Sequence, residues 1–281
     1  MQDGTLTTSD RVPEERPHGS SVLLERPEEG ICVLQLDRPA ARNSLSLNLL
    51  VELTGLFEEL GRDPSVRAIV LAANGPAFCA GHDLKEMTSR RGDADGGKAF
   101  YVETMTACSQ LMQTMVACPK PIIAAVHAMA TAAGCQLVAT CDLAVAAQSA
   151  KFCTPGVNIG LFCSTPMVAL SRNVSRKRAM EMLLLGELIS AEKAAEYGLV
   201  NRVVPVDDVL EAALEFARRI AAKSSVTVAI GKEAFYRQVE QPLAEAYDYA
   251  AAVMVENMLD QDAKEGIGAF LEKRKPEWKD S

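Results

Sequence analysis

An α/β fold is what the 281-residue sequence predicts, on three observations. From Ser21 onward, short apolar runs of strand length alternate with segments of helical periodicity, the pattern of strands joined by crossover helices. Hydrophobic residues make up 48% and charged residues 23%, the balance of a globular chain rather than a disordered or fibrous one. The chain is also long enough to fill a sizeable core without covalent staples. Its eight cysteines form no CxxC pair, and Cys108, Cys118, Cys135 and Cys141 lie in apolar stretches, so they read as free buried thiols in a reducing compartment.

Taken in order, residues 1–20 mix acids with prolines and read as a polar tail, neither a signal peptide nor a transit peptide. Val22 to Glu25 and Ile31 to Leu36 read as strands around a Pro27 to Gly30 turn. Leu45, Leu49, Leu53, Leu56 and Leu60 recur at helical spacing, and Gly61 is expected to close that helix in a left-handed conformation. Ala68 to Ala73 and Ile122 to Val126 are buried strands, with a Gly- and Asp-rich loop, Ser89 to Lys98, between them. A further strand, Leu143 to Ala147, precedes helices at about Arg176 to Leu185 and Ala191 to Tyr197. Ser190 caps the second of these helices and Gly198 ends it. Leu199 to Val204 is a short strand. From Asp207 the chain reads as successive helices: to Lys223, Val226 to Val239, Pro242 to Leu259 and Ala263 to Leu271.

Several chemistries are excluded at this level. A net charge of −8 speaks against a nucleic-acid surface, and no run of 18 apolar residues marks a membrane span. Three histidines without HxxxH or HExxH spacing give no zinc motif, and neither a P-loop nor a GxGxxG after a strand is present. The unusual block is Ala130-Thr131-Ala132-Ala133-Gly134-Cys135-Gln136, which leads into the helical pattern Leu137 to Thr140 with almost no side-chain bulk. Small residues at a helix start let a ligand oxygen reach unpaired amides where the helix dipole favours negative charge; tight helix-to-sheet packing would select the same residues.

The segments LDRPAARNSL (36–45), FCAGHDLKEM (78–87), KPIIAAVHAMATAAGCQLVATCDLAVA (120–146), FCTPGVNIGL (152–161), GELISAEKAAEYGLVNRVV (186–204) and AFLEKRKPEW (269–278) together resemble the crotonase superfamily, the enoyl-CoA hydratase and isomerase family. The likeness runs from Ser21 to the end. It implies a ClpP/crotonase-type spiral of ββα units over 21–204 and a C-terminal helical subdomain over 205–281 that builds a homotrimer, or a hexamer as a dimer of trimers. It also implies a coenzyme A thioester as ligand, with coenzyme A entering as part of the substrate and no tightly bound cofactor or metal. By motif position, the amides of His82 and Ala133 form an oxyanion hole. Arg42, Ala80, Asp83, Leu84 and Lys85 line the coenzyme A site, and Phe270 and Lys273 reach it, often across a subunit boundary. A bacterial source implies a cytoplasmic protein and a eukaryotic one a mitochondrial protein.

The chain departs from the family where an ordinary hydratase carries two glutamates: those positions hold Gln136 and Gly156. An amide can orient water but cannot exchange a proton, and glycine has no side chain, so hydration is expected to be weak or absent. The remaining polar candidates have structural readings. Asp83 is expected to cap its own loop, Asp142 to serve in a turn or ion pair, Glu86 to be solvated, and Cys153 and Cys163 to pack. His127 is expected to be a satisfied core histidine, and the His82 ring to fill space or cap its loop. Two alternatives accompany an enoyl-CoA hydratase-like lyase or isomerase. One is decarboxylation of a malonyl-type thioester, since methylmalonyl-CoA decarboxylases resemble this chain in AGHD, VNLG (here VNIG) and AFLEKRKP. The other is a non-catalytic acyl-CoA-binding regulator of fatty acid metabolism.

Overall fold

The computed structural model describes residues 20–280. Apart from Ser20, the expected tail lies outside the described residues.

The chain enters through an antiparallel pair, β1 (Val22–Glu28) and β2 (Gly30–Leu36), turned at Gly30 with φ +77°. Helix α1 (Leu47–Arg62) follows, capped by the Ser46 hydroxyl, which accepts from the Leu49 amide; such a cap contributes about 1 kcal/mol. Next come β3 (Val66–Ala73), β4 (Ala77–Cys79), α2 (Leu84–Ser89) and α3 (Lys98–Ala117), then β5 (Ile122–Val126), β6 (Met129–Thr131) and α4 (Ala133–Thr140). They lead into β7 (Leu143–Ala147), β8 (Lys151–Cys153), α5 (Pro166–Asn173) and α6 (Arg176–Leu185). The remainder comprises β9 (Ile189–Ser190), α7 (Ala191–Tyr197), β10 (Arg202–Val204), α8 (Val209–Ala221), α9 (Ser225–Gln238), α10 (Leu243–Leu259) and α11 (Gln261–Glu272).

Two sheets result, and their connectivity is the expected spiral. The larger runs β1-β2-β3-β5-β7-β10, parallel from β2 onward; the smaller runs β4-β6-β8-β9, with β4, β6 and β8 parallel. Three times in succession the chain crosses the large sheet, then the small one, then turns into a helix: β3-β4-α2, β5-β6-α4 and β7-β8-α5. Strands covered on both faces read as continuous apolar runs, and all five residues of β5 are buried. Phe57, Phe78 and Phe152 are among the largest fully buried side chains, each contributing roughly 1.5–3 kcal/mol by leaving water.

Several elements differ from the sequence reading for identifiable reasons. Gly61 lies inside α1 rather than ending it, because a Cβ there would stand 3.3 Å from Pro119 Cδ and 3.4 Å from Cys118 Sγ. Its smallness serves packing, and Asp63 is the C-cap. Helix α3 escaped the sequence reading because its inward stripe, Thr104, Cys108, Leu111, Met112 and Met115, is partly polar. The loop from Ser89 to Lys98 is tied down: the Asp95 carboxylate accepts from the Gly97 and Ala99 amides, and the Arg90 guanidinium lies 4.9 Å from the Phe100 ring centroid. Leu199 and Val200 are buried but precede β10 rather than belonging to it. Helix α8, placed by sequence in the C-terminal region, packs Val209, Ala212, Ala213, Leu214 and Ala217 into the core against the large sheet. The sheet therefore keeps its cover until about Ala221, beyond the Val204 boundary.

The helices after α8 attach through a buried ionic cluster. On α9 the Lys232 ammonium donates to Asp142 Oδ2 at 2.7 Å and to the carbonyls of Met115 and Lys120, each at 3.1 Å. The Tyr236 hydroxyl donates to Asp142 Oδ1 at 2.9 Å, and the Ile122 amide donates to Oδ2. Asp142 is thus the ion-pair residue the sequence suggested.

Candidate active site

Because β4, β6 and β8 are parallel and in register, their carboxyl ends fall on one edge of the small sheet. Each leads directly into one segment of interest: Cys79 into Ala80–Asp83, Thr131 into Ala132–Gln136, and Cys153 into Thr154–Gly156. Binding crevices in α/β sheets form at this kind of edge.

The first two segments are pressed together. A Cβ on Gly81, at φ +90°, would stand 2.9 Å from the Ala132 Cβ and 3.4 Å from the Ala133 nitrogen. A Cβ on Gly134 would lie 2.1 Å from the Cys79 carbonyl oxygen, so only glycine lets the start of α4 sit against β4. The small-residue block is therefore close packing, and that packing also bares main-chain amides. Ala132, the N-cap, adopts φ +50° and ψ −119°, a conformation costing an L-residue of order 1–3 kcal/mol and characteristic of functional sites. All eight residues of α4 are buried.

Backbone geometry frees the amides of His82 and Ala133. Leu45 and His82 form a parallel bridge in which the Leu45 amide donates to the Gly81 carbonyl and the Asp83 amide donates to Leu45. In such a bridge the N–H of His82 itself points away from Leu45. Ala133 is the first residue of α4 and has no intrahelical acceptor. Among the described residues no acceptor takes either hydrogen.

The carboxylates around this edge are committed elsewhere. Asp83 caps α2 through the Glu86 amide, accepts from the Ser44 hydroxyl and pairs with Arg38 at 3.3 Å. Burial opposes its ionisation, but these bonds outweigh burial and hold its carboxyl below the ordinary range. Glu86 is not simply solvated: its Oε2 accepts from the Leu47 amide at the start of α1.

At the two glutamate positions, Gln136 is 4% exposed with Oε1 3.9 Å from the Cys108 thiol, and the space beside Gly156 is filled by Cys163. A Cβ on Gly156 would stand 3.0 Å from Cys163 Sγ and 3.1 Å from the Leu161 carbonyl oxygen. Burial pushes the Cys153 thiol up to about 11 and raises that of Cys163, the Gly156 amide opposing the latter shift, so both are protonated at neutral pH. They pack, as expected.

The rim carries unpaired positive charge. Ala80 donates its amide to the Arg42 carbonyl at 3.1 Å, which brings the loop of Arg42 onto the loop leading to Lys85. Buried Asn43 locks this arrangement, donating to the carbonyls of Asn74 and Ala77. Arg42, Leu84 and Lys85 are exposed, and among the described residues neither cation makes an ion pair. Phe270, 82% exposed, and Lys273, the left-handed C-cap of α11, lie on a helix that packs against α9 and α10. An open apolar depression of about 330 Å³ lined by Gly96, Lys98, Tyr101, Val102 and Met105 includes none of the residues above.

Two histidine readings need correction. His127 follows the end of β5 instead of lying within the strand; its Nε2 meets the Gly75 carbonyl at 2.8 Å, but Nδ1 is buried without a partner. The half-buried His82 ring does not cap its loop. Both of its nitrogens lack a partner, and burial lowers its pKa, with the neighbouring Leu45 main chain offsetting part of that shift without a well-formed hydrogen bond. Thr154, which the sequence reading passed over inside TPG, is fully buried with its hydroxyl unpartnered.

Residues 26–281 match the model of the enoyl-CoA hydratase/isomerase family. The mitochondrial enoyl-CoA hydratase domain-containing protein 3 of Rattus norvegicus is 45% identical over 266 residues, 95% of this chain and 86% of that protein. The mitochondrial enoyl-CoA hydratase of Pongo abelii is 34% identical, covering 99% of this chain and 96% of its own. Among solved structures, an enoyl-CoA hydratase from Mycobacterium smegmatis superposes with a TM-score of 0.87 at 50% identity, over 92% of this chain and 99% of that one. Human enoyl-CoA hydratase domain-containing protein 3 gives 0.87 at 44%, over 92% and 100%. With this fold, these motifs and this extent of identity, the chain belongs to the enoyl-CoA hydratase/isomerase family of the crotonase superfamily.

Proposed function

We propose that the protein binds a coenzyme A thioester with its carbonyl oxygen between the amides of His82 and Ala133, and stabilises the enolate that forms when charge moves onto that oxygen. The observation that carries this reading is the pair of acceptor-free amides brought together where Gly81 meets Ala132 and Ala133. Such donors cost no reorganisation as charge develops, the dipole of α4 adds to them, and each is worth about 10²–10³ in rate. Arg42 and Lys85 suit the phosphates of coenzyme A, with the adenine beside Ala80. Phe270 and Lys273 would complete the site from a neighbouring protomer. A homotrimer, or a dimer of trimers, would cover α10, which buries only Ala246 and exposes Leu243, Tyr247, Val255 and Leu259.

Proton transfer limits what such a site can do. Gln136 can only orient a water, Gly156 offers nothing, and Asp83, Glu86 and Asp142 are held in structural bonds. Losing positioned acid-base groups costs about 10²–10⁴, so crotonyl-CoA hydration should be slow. The same lack of a free carboxylate favours a second reading, decarboxylation of a malonyl-type thioester. The bond to the carboxylate breaks, its electron pair enters the enolate held by the two amides, carbon dioxide leaves, and solvent protonates the α carbon. No like charge in the site repels the substrate carboxylate.

The test is to incubate the protein with crotonyl-CoA, 3-hydroxybutyryl-CoA and methylmalonyl-CoA, following enoyl absorbance and thioester mass. Slow or absent hydration is expected. Loss of carbon dioxide from methylmalonyl-CoA establishes the decarboxylase reading; bound but unchanged thioesters leave a binding protein. Failure of any thioester to associate refutes the proposal.

A further inference from the structure

The two buried polar side chains without partners flank the Ala133 amide from opposite sides. In the small sheet, β4 and β8 lie on either side of β6, and α4 continues from β6. His82 belongs to the segment after β4, next to the Gly81 contact with Ala133. Thr154 follows β8, where Cys153 pairs with Thr131 and accepts from the Ala132 amide at 2.9 Å. The Thr154 hydroxyl and both His82 ring nitrogens are buried and unmet. Native proteins rarely leave buried donors and acceptors unpaired, and those that persist call for a ligand or an ordered water.

We infer that the Thr154 hydroxyl and the His82 imidazole are specificity-determining groups that hydrogen-bond an oxygen on the third carbon of the bound acyl chain. This deepens the thioester reading and rests on it. With the carbonyl oxygen on the Ala133 and His82 amides, the third carbon is two bonds from the thioester carbon, beside the residues that supply or adjoin those donors. A hydroxyl can both donate and accept, and a neutral imidazole offers one donor and one acceptor. Together they suit a 3-hydroxyl or the carboxylate of a malonyl group, whereas a saturated hydrocarbon chain would leave every one of these atoms unmet. Each residue acts with its side chain alone, since the His82 amide is assigned to the carbonyl oxygen.

The experiment measures the affinity of the intact protein for butyryl-CoA, 3-hydroxybutyryl-CoA and malonyl-CoA by calorimetric titration, in the natural protein and in the Thr154→Val and His82→Phe variants. Valine keeps the shape of threonine and removes an unmet hydroxyl, so Thr154→Val is expected to melt at the natural temperature or above it. It carries the test alone should His82→Phe not fold. The natural protein should bind at least one oxygenated thioester about tenfold more tightly than butyryl-CoA, and each variant should shrink that ratio roughly fivefold to tenfold, the worth of one hydrogen bond. Preference for the 3-hydroxyl or for the carboxylate identifies which oxygen is taken. A natural ratio near one, or variants that weaken all three ligands alike, would overturn this inference while leaving the thioester reading intact. Failure of butyryl-CoA and both oxygenated thioesters to bind would remove that reading and this inference with it.

Discussion

Gly134→Ala probes the contact that creates the site. The added methyl would lie 2.1 Å from the Cys79 carbonyl oxygen, 2.7 Å from its carbon and 2.8 Å from its Cβ. Non-bonded carbon contacts settle near ~3.5–4.0 Å, so α4 and β4 must part by about 1 Å or more. The obstacle is the backbone of a buried strand, which cannot swing aside as a side-chain tip can. Overpacking of this kind costs about 1–3 kcal/mol, against which alanine returns about 1 kcal/mol of helix propensity. The net loss, up to about 2 kcal/mol, lowers Tm by roughly 4–8 °C at the 2–4 °C per kcal/mol of a large domain. Gly55→Ala is the matched control: it lies on α1 with nothing within 4 Å, and should gain about 0.5–1 kcal/mol. Thermal scans of the two variants beside the natural protein decide the matter. If Gly134→Ala melts with or above the natural protein, as the control does, the close approach of α4 to β4 is wrong. A displaced Ala133 amide should also weaken catalysis on any thioester the protein turns over, by about 10² for a 1 Å misplacement.

Two further outcomes follow from charges outside the site. Lys232→Met removes an ammonium whose side chain is 6% exposed and leaves the Asp142 carboxylate, 16% exposed, with only the Ile122 amide and Tyr236 hydroxyl; breaking such a pair costs about 3–5 kcal/mol. Urea titration should show a lower midpoint with an unchanged slope, and Asp142→Asn added to Lys232→Met should recover part of the loss; a single variant as stable as the natural protein contradicts the cluster. Glu265 is lowered from its ordinary 4.5 to about 2, first by the Arg274 guanidinium and then by the Glu277 amide. A depressed carboxyl stabilises the fold above its unfolded value and loses that contribution as pH falls through the folded one. The natural protein should therefore lose Tm between about pH 4.5 and 2 more steeply than Glu265→Gln, a difference that salt diminishes because the pair is exposed. Parallel Tm profiles for the two would refute this.

Periodicity and local chemistry carried much of the fold. β2, β3, β5 and β7 announce themselves as apolar runs, and α7 by Ser190, which caps through the Lys193 amide, and Gly198, which ends it at φ +87°. Helix α3 did not announce itself, because Thr104 and Cys108 interrupt its buried stripe with residues that look polar. Strands of three residues, β4, β6 and β8, are too short for a period to show, yet they set the edge on which the site stands.

By itself the sequence determined the family, the α/β class, the small residues at 130–134 and the replacement of two glutamates by Gln136 and Gly156, since each is written in contiguous residues. Tertiary structure alone decided that Gly81 and Gly134 are spaces for another segment's backbone, that Cys163 occupies the room beside Gly156, and that Asp83 and Glu86 face structural partners. It also decided that His82 and Thr154 have none. The reason is physical: whether a buried donor or acceptor is satisfied depends on atoms brought in by distant stretches of chain, and no local pattern records their arrival.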